Sequence, residues 1–226
     1  MAEKEERKEK VVKTLKGQIL EKIKEARESS KERKFTQTWD VSVALKGLDL
    51  KKPENRFNVE LNLPAGKDKK PKMVLIADAL AKEGKNYVDF VLTKAELEKL
   101  AGNKKKLKSL ANEYDLFLGE ISLMPLIGKH LGAVLGPRGK SPKPIPPNVK
   151  LEPFIEASKK NVRVTLRDNP VVYVSVGSEK MEDEKIATNT EAVINLVKSK
   201  LPKGVYNIKA VYIKLTMGKP AKIIVQ

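Results

Sequence analysis

The feature that most constrains the fold is a change of hydrophobic rhythm that occurs and then reverses. Phe35, Gln37, Trp39, Val41, Val43 and Leu45 share one parity, while Thr36, Thr38, Asp40, Ser42 and Ala44 share the other. A period of two puts successive side chains on opposite faces, so this is a half-buried strand. Phe57, Val59, Leu61 and Leu63 repeat it against Arg56, Asn58, Glu60 and Asn62. From Gly66 the pattern changes to continuous apolar runs, MVLIA (73–77), YVDFVL (87–92) and DLFLGE (115–120), separated by helical stretches. Runs buried on both faces belong to parallel sheets covered by helices. After residue 152 the alternation returns in NVRVTLRD, VVYVSVG and AVYIKLTMG. The predicted architecture is α/β in two domains. Residues 1–66 and 153–226 form a discontinuous α+β domain with a half-exposed sheet, and residues 67–152 form an inserted, doubly covered α/β domain.

Local signals place the remaining elements. Val12, Leu15, Ile19, Ile23 and Ala26 predict a helix over about residues 5–30. A helix is predicted through Ala81, and a second in TKAELEKLAG, where Thr93 and Glu96 have capping-box spacing and Gly102 ends the run. MPLIGKHLGAVLG carries Pro125 in its first turn and Gly136 at its end. Further helices are predicted at 153–160 and about 182–200. NVRVTLRD and VVYVSVG are predicted to pair across Asp168-Asn169-Pro170, and the last two strands to flank LTMGKPAK.

The chain has 46 Lys+Arg against 29 Asp+Glu, a net charge of +17, which favours an anionic partner such as nucleic acid. The excess is spread, +4 in residues 1–65, +7 in 66–152 and +6 in 153–226, so the footprint is broad rather than a basic tail. No run of 18 apolar residues occurs and the N-terminus is charged throughout, which predicts neither a membrane span nor a signal peptide. With no cysteine and only His130, the chain offers no thiolate metal site and almost no imidazole chemistry.

Residues 136–148 read GPRGKSPKPIPPN. Proline fixes φ and removes donors, so this segment is neither helix nor central strand but an exposed, stiffened loop. Its cations Arg138, Lys140 and Lys143 suit a rigid polyanion or simply line a basic surface linker; both readings are open. Gly139-Lys140-Ser141 is not a phosphate loop, because Val134 stands where the leading glycine is needed and Pro142 follows. No dinucleotide fingerprint, zinc-protease motif or nucleophile elbow occurs, so an enzyme reading rests only on the carboxyl ends of the insert strands near Ala77, Leu92 and Gly119. Thr216-Met217-Gly218 offers a hydroxyl, a soft apolar side chain and a bare backbone, suited to ribose and base faces or to an ordinary turn. Thr36, Thr38, Asp40, Arg163, Arg167, Lys214 and Thr216 form an outward set rich in hydroxyls and cations. Aromatics are only 5% of the chain, which favours shape recognition of folded RNA over stacking on single strands.

KFTQTWDVSVAL, LGAVLGPRGKSPKPIPPN and VYIKLTMGKP, in this order and spanning most of the chain, resemble the ribosomal L-one family. The KPIPP continuation resembles its archaeal branch. The resemblance implies a discontinuous domain that binds large-subunit rRNA and a Rossmann-like insert without a nucleotide. It implies a protein of the mobile stalk near the tRNA exit site, assisting release of deacylated tRNA and repressing translation of its own mRNA. It further implies a cytoplasmic, ribosomal protein that is a monomer when free and needs no cofactor or metal; a regulator acting outside the ribosome is the alternative. By position, the implied RNA contacts are Phe35, Thr38, Thr216, Met217 and Gly218, with Lys34, Thr36, Arg163, Arg167 and Lys214 around them and Arg138, Lys140 and Lys143 as a secondary basic loop. Two positions depart from the family pattern: Lys219 separates Gly218 from Pro220, and Ser141 replaces a larger apolar residue.

Overall fold

The computed structural model describes residues 15–68, 71–146, 149 and 151–224. The first segment supplies α1 (Leu15–Glu28), β1 (Thr38–Leu45) and β2 (Phe57–Asn62). The chain then runs through β3 (Met73–Ile76), α2 (Ala81–Gly84), β4 (Phe90–Leu92), α3 (Lys94–Ala101) and α4 (Lys104–Glu113). It continues with β5 (Leu116–Glu120), α5 (Met124–Leu135), β6 (Lys143–Ile145) and α6 (Leu151–Lys160). The returning segment adds β7 (Asn161–Leu166), β8 (Val171–Ser178), α7 (Asp183–Lys200), β9 (Ile208–Leu215) and β10 (Ala221–Ile223). Two compact units result, one drawn from both ends of the chain, with crossings at 69/70 and 159/160.

The terminal unit holds an antiparallel sheet in the order β10-β9-β1-β8 and a separate antiparallel pair, β2-β7. Trp39, Val41 and Val43 of β1 lie fully buried with Val172, Val176, Val211, Ile213 and Leu215, packed against Ile19 and Ile23 of α1 and Ile186, Val193 and Val197 of α7. Their neighbours of opposite parity face solvent, which is the half-buried pattern the alternation predicts. A bulge interrupts it: Trp39 pairs with Gly177 but Asp40 with Ser175, so one extra residue on β8 shifts parity and Val176, Gly177 and Ser178 are all buried.

The insert holds a parallel sheet in the order β4-β3-β5-β6. Alternate residues of β3 enter opposite cores. Val74 and Ile76 pack with Leu97, Leu107, Ile127 and Leu131, whereas Met73 and Leu75 pack with Leu80, Leu151 and Ile155. Burial on both faces explains why this strand reads as an unbroken apolar run.

Several expectations are corrected. The predicted boundary at 153 falls inside α6, whose Leu151 and Ile155 belong to the insert core, so that helix goes with the insert. β7 and β8 do not form a hairpin; they pair with β2 and β1. The four residues between them, 167–170, instead carry the chain from the two-stranded pair to the four-stranded sheet. The proline loop is not wholly loop, since Lys143–Ile145 forms edge strand β6 and Ile145 is fully buried. Proline is tolerated there because an edge strand leaves one row of donors unused. The helix predicted through Ala81 begins at that residue instead, and Phe35 stands before β1 and is exposed rather than inward. The predicted first helix is present from Leu15; its earlier part lies outside the described residues.

α5 ends at Leu135 with Gly136 as its C-cap, as the sequence predicts, and Gly139 closes the turn that follows. Gly139 has φ +68°, its N–H donates to Gly136 O at 3.0 Å, and Lys140 N donates to Leu135 O at 3.1 Å, a Schellman arrangement. Replacing Gly139 by Ala forces a side chain into the left-handed region and is expected to cost about 1–2 kcal/mol. The same replacement at Gly128, mid-helix with nothing near its would-be Cβ, is expected to stabilise by about 0.5–1 kcal/mol. Urea unfolding of the two variants should therefore shift in opposite directions.

Candidate nucleic-acid interface

β1 begins at Thr38 and β9 ends at Leu215, and the two threonines just at this end of the ladder clasp each other. Thr216 N donates to Thr38 O at 3.0 Å, Thr38 N donates to Thr216 Oγ1 at 3.1 Å, and the two hydroxyl oxygens are 2.9 Å apart. Thr216 Oγ1 also lies 3.2 Å from Thr38 O, within donating distance. If Thr216 gives its proton to either Thr38 oxygen, the Thr38 hydroxyl keeps its own proton for an external acceptor. Two hydroxyls are thus fixed in space at the open end of the sheet.

The turn that follows is pinned from beneath. Gln37 is 0% exposed, and its Oε1 accepts from Met217 N at 3.1 Å. Gln37 is itself held by Glu179: Gln37 N donates to Glu179 Oε2 at 3.0 Å, and Glu179 N donates to Gln37 O at 2.9 Å. Gly218 N closes the turn on Leu215 O at 2.9 Å. A Cβ on Gly218 would meet Leu215 Cβ at 3.2 Å and Ser30 Oγ at 3.3 Å, so close approach rather than unusual φ calls for glycine here. Below Gln37, the Arg27 guanidinium lies 5.6 Å from the centroid of the Trp39 ring and pairs with Asp183 at 2.7 Å. Gln37 Nε2, Trp39 Nε1 and Ser30 Oγ are buried without a hydrogen-bond partner. Phe35 and Met217, 53% and 59% exposed, stand on either side of the Gln37 anchor in sequence and by hydrogen bond.

On the solvated face of the same sheet, Asp40 is opposite Lys214. Partial burial pushes the Asp40 carboxyl above the ordinary aspartate range, and the Lys214 charge opposes that rise.

In the insert the strand order reverses between β3 and β5, and in doubly wound sheets ligands bind outside the carboxyl ends at such a point. Here Glu120, 7% exposed, lies there with its own carboxylate. Its Oε2 accepts from Asp78 N at 3.1 Å and Ala79 N at 3.3 Å, and its Oε1 accepts from Ser122 Oγ at 2.7 Å. Donors that could hold a ligand phosphate are engaged by the chain itself. Among the described residues no cluster of His, Cys, Asp or Glu could hold a metal, and no helix is long and apolar enough to cross a membrane.

A profile of the ribosomal protein L1p/L10e family matches residues 23–219. The chain belongs to that family. It is 48% identical to "Large ribosomal subunit protein uL1" of Methanothermococcus thermolithotrophicus over 206 residues, 91% of this chain and 97% of the relative. Identity to the proteins of the same name from Methanocaldococcus jannaschii and Methanothermobacter thermautotrophicus is 46%, covering 91% and 92% of this chain and 94% and 99% of theirs. The family is one of structural ribosomal proteins, not enzymes, and these relatives are archaeal.

Within this member of the family, the sequence-predicted residues fall into three places. Lys34, Phe35 and Thr36 sit in the exposed segment before β1, beside Thr38, Thr216, Met217 and Gly218, with Lys214 on the adjoining sheet face. Arg163 and Arg167 lie elsewhere. Arg163 is on β7 opposite Glu60, with its Nε donating to Asn58 Oδ1 at 2.7 Å, and Arg167 follows the end of β7 on the other sheet. The basic loop serves its own unit: Arg138 donates to Val134 O at 3.1 Å, and Lys140 Nζ donates to Ala111 O and Tyr114 O at 3.0 and 2.7 Å, capping helix ends. Lys143 lies half-buried on β6 opposite Leu118. Ser141 and Lys219 are exposed, so neither departure disturbs packing. Sequence reading missed the supporting role of Gln37, Glu179 and Ser30; the one available signal was a polar Gln37 on the buried parity of β1.

Because its native pKa is raised, Asp40 favours folding when protonated, and that contribution is lost as pH rises from the unfolded aspartate value near 4 through the native one. Asp40→Asn is therefore expected to have a higher Tm than the parent at pH 7. The difference should vanish at about pH 3, below both pKa values.

Proposed function

We propose that the chain is a structural constituent of the large ribosomal subunit whose terminal unit grips large-subunit rRNA at the Thr38/Thr216 clasp. The observation that carries this reading is the clasp itself: two hydroxyls held at fixed separation beside a close-packed glycine, with exposed Phe35 and Met217 at its margins. A ribose 2′-OH both donates and accepts, so it pairs naturally with a fixed hydroxyl, and a bare glycine lets the backbone come near. Phe35 and Met217 offer apolar contact to base or sugar faces, while Lys34 and Lys214 neutralise phosphates. The names of the archaeal relatives place those proteins in the large subunit, which supports the same site of action here. In this reading the protein forms the mobile stalk near the tRNA exit site and helps deacylated tRNA leave. It also represses translation of its own mRNA through an rRNA-like element bound at the same clasp.

Thr216→Val keeps shape and β-branching but deletes the hydroxyl. Loss of that bond is expected to weaken binding to a large-subunit rRNA transcript by about 1–3 kcal/mol, roughly fivefold to 150-fold. Across salt concentration the parent should show a slope of log K against log salt of about −3 to −5, for about four to six phosphates neutralised. Salt-insensitive binding would overturn the role given to the basic excess, and a folded Thr216→Val that binds like the parent would remove the clasp from the interface.

Among the described residues the core of the terminal unit draws on none of the insert, and the chain leaving it runs beside the chain re-entering it: Leu63 N donates to Lys160 O at 3.1 Å, and a Cβ on Gly66 would lie 3.5 Å from the Lys160 side chain. Replacing residues 70–159 by a short Gly/Ser linker should leave a folded protein that still discriminates rRNA from unrelated RNA. A folded truncation without that discrimination would move the site into the insert.

A further inference from the structure

The solvated face of the four-stranded sheet carries a second arrangement next to the clasp. Ser42 on β1 pairs with Tyr173 on β8 and with Tyr212 on β9, and Tyr212 in turn pairs with Lys222 on β10. One rung across the sheet therefore reads Tyr173, Ser42, Tyr212, Lys222. Aromatics are scarce in this chain, yet two of its five tyrosines share this rung. Tyr173 is 71% exposed and Tyr212 half-buried. The next rung toward the clasp carries Asp40 and Lys214, and the clasp itself begins at Thr38, four residues or about 13 Å along β1.

We infer that this rung is a slot for one unpaired nucleotide of the RNA held at the clasp, with the base stacked between Tyr173 and Tyr212. The inference rests on the proposed RNA-binding reading and adds a stacking subsite to it. Strands flanking β1 on both sides put the two tyrosine Cα atoms about 10 Å apart. Two ring faces that each contact a base at about 3.5–4.0 Å must be about 7–8 Å apart, which tyrosines leaning inward over a serine can provide. Ser42 is small enough to floor the slot, and its hydroxyl can meet a base edge or sugar. Lys214 and Lys222 lie on successive rungs, where cations meet the phosphates on either side of the base. That charge, within a chain of net +17, selects a polyanion over an apolar peptide. Stacking on aromatic faces tolerates any base, so the slot would add affinity rather than sequence readout.

The test compares parent, Tyr173→Ala, Tyr212→Ala and the two Tyr→Phe variants in binding a large-subunit rRNA transcript, with Tm recorded for each. Ultraviolet cross-linking of the parent complex, read by mass spectrometry, reports which residues carry a nucleotide. Each Ala variant is expected to lose about fivefold to a hundredfold in affinity, the Phe variants to retain the parent's, and the cross-link to fall on Tyr173 or Tyr212. Folded Ala variants that bind like the parent, while Thr216→Val binds weakly, would overturn the slot and leave the clasp standing. An equal loss in the Phe variants would overturn stacking, because only the hydroxyl would then matter. A parent that does not bind the transcript at all overturns the RNA reading and the slot with it.

Discussion

The pairing of β1 with strands from the far end of the chain is the interaction on which the rest depends. β1 lies inside its sheet with β8 on one side and β9 on the other, so residues near position 40 bond to residues near 175 and 213. Those ladders close very long loops, and loop-closure cost grows only slowly with length. A whole folded unit can therefore sit between β2 and β7 with little thermodynamic penalty to the host. The slow step is kinetic, since non-local pairings must form before they are rewarded. The same pairing makes the clasp: Thr38 and Thr216 are distant in sequence and meet only because β1 and β9 align.

The clasp also shows how a weak local motif becomes a defined surface. Three residues in a turn would sample many conformations alone. Here Gln37 takes the Met217 N–H, Glu179 takes Gln37, and Arg27 bridges Asp183 and the Trp39 ring. The anchor is polar and fully buried, and a hydrogen bond in surroundings of low dielectric holds the turn more firmly than a solvated one.

Much of this was legible in the residues because each signal had one physical meaning. Alternation gave the host sheet, unbroken apolar runs gave the insert sheet, and the parity of Thr38, Asp40 and Lys214 put them on the solvated face. What escaped was set by partners rather than by local pattern. Nothing in NVRVTLRD and VVYVSVG tells that they pair with β2 and β1 instead of each other, because either pairing satisfies the same alternation. Lys140 read as a surface cation, but the fold of α4 brings two carbonyls within its reach. Arg163 shares parity with clasp-side residues yet stands on another sheet, because parity names a face and not which sheet bears it.

Glu120 carries a consequence for how the insert relates to the contents of a cell. A doubly wound domain that holds a nucleotide is stabilised by it in proportion to the logarithm of its concentration, so its integrity follows metabolic supply. In this insert the corresponding backbone donors are satisfied by a carboxylate covalently part of the chain, present at one equivalent always. At that position the two donors are held without any draw on a diffusible ligand, so the stability this contact supplies does not vary with a metabolite's concentration.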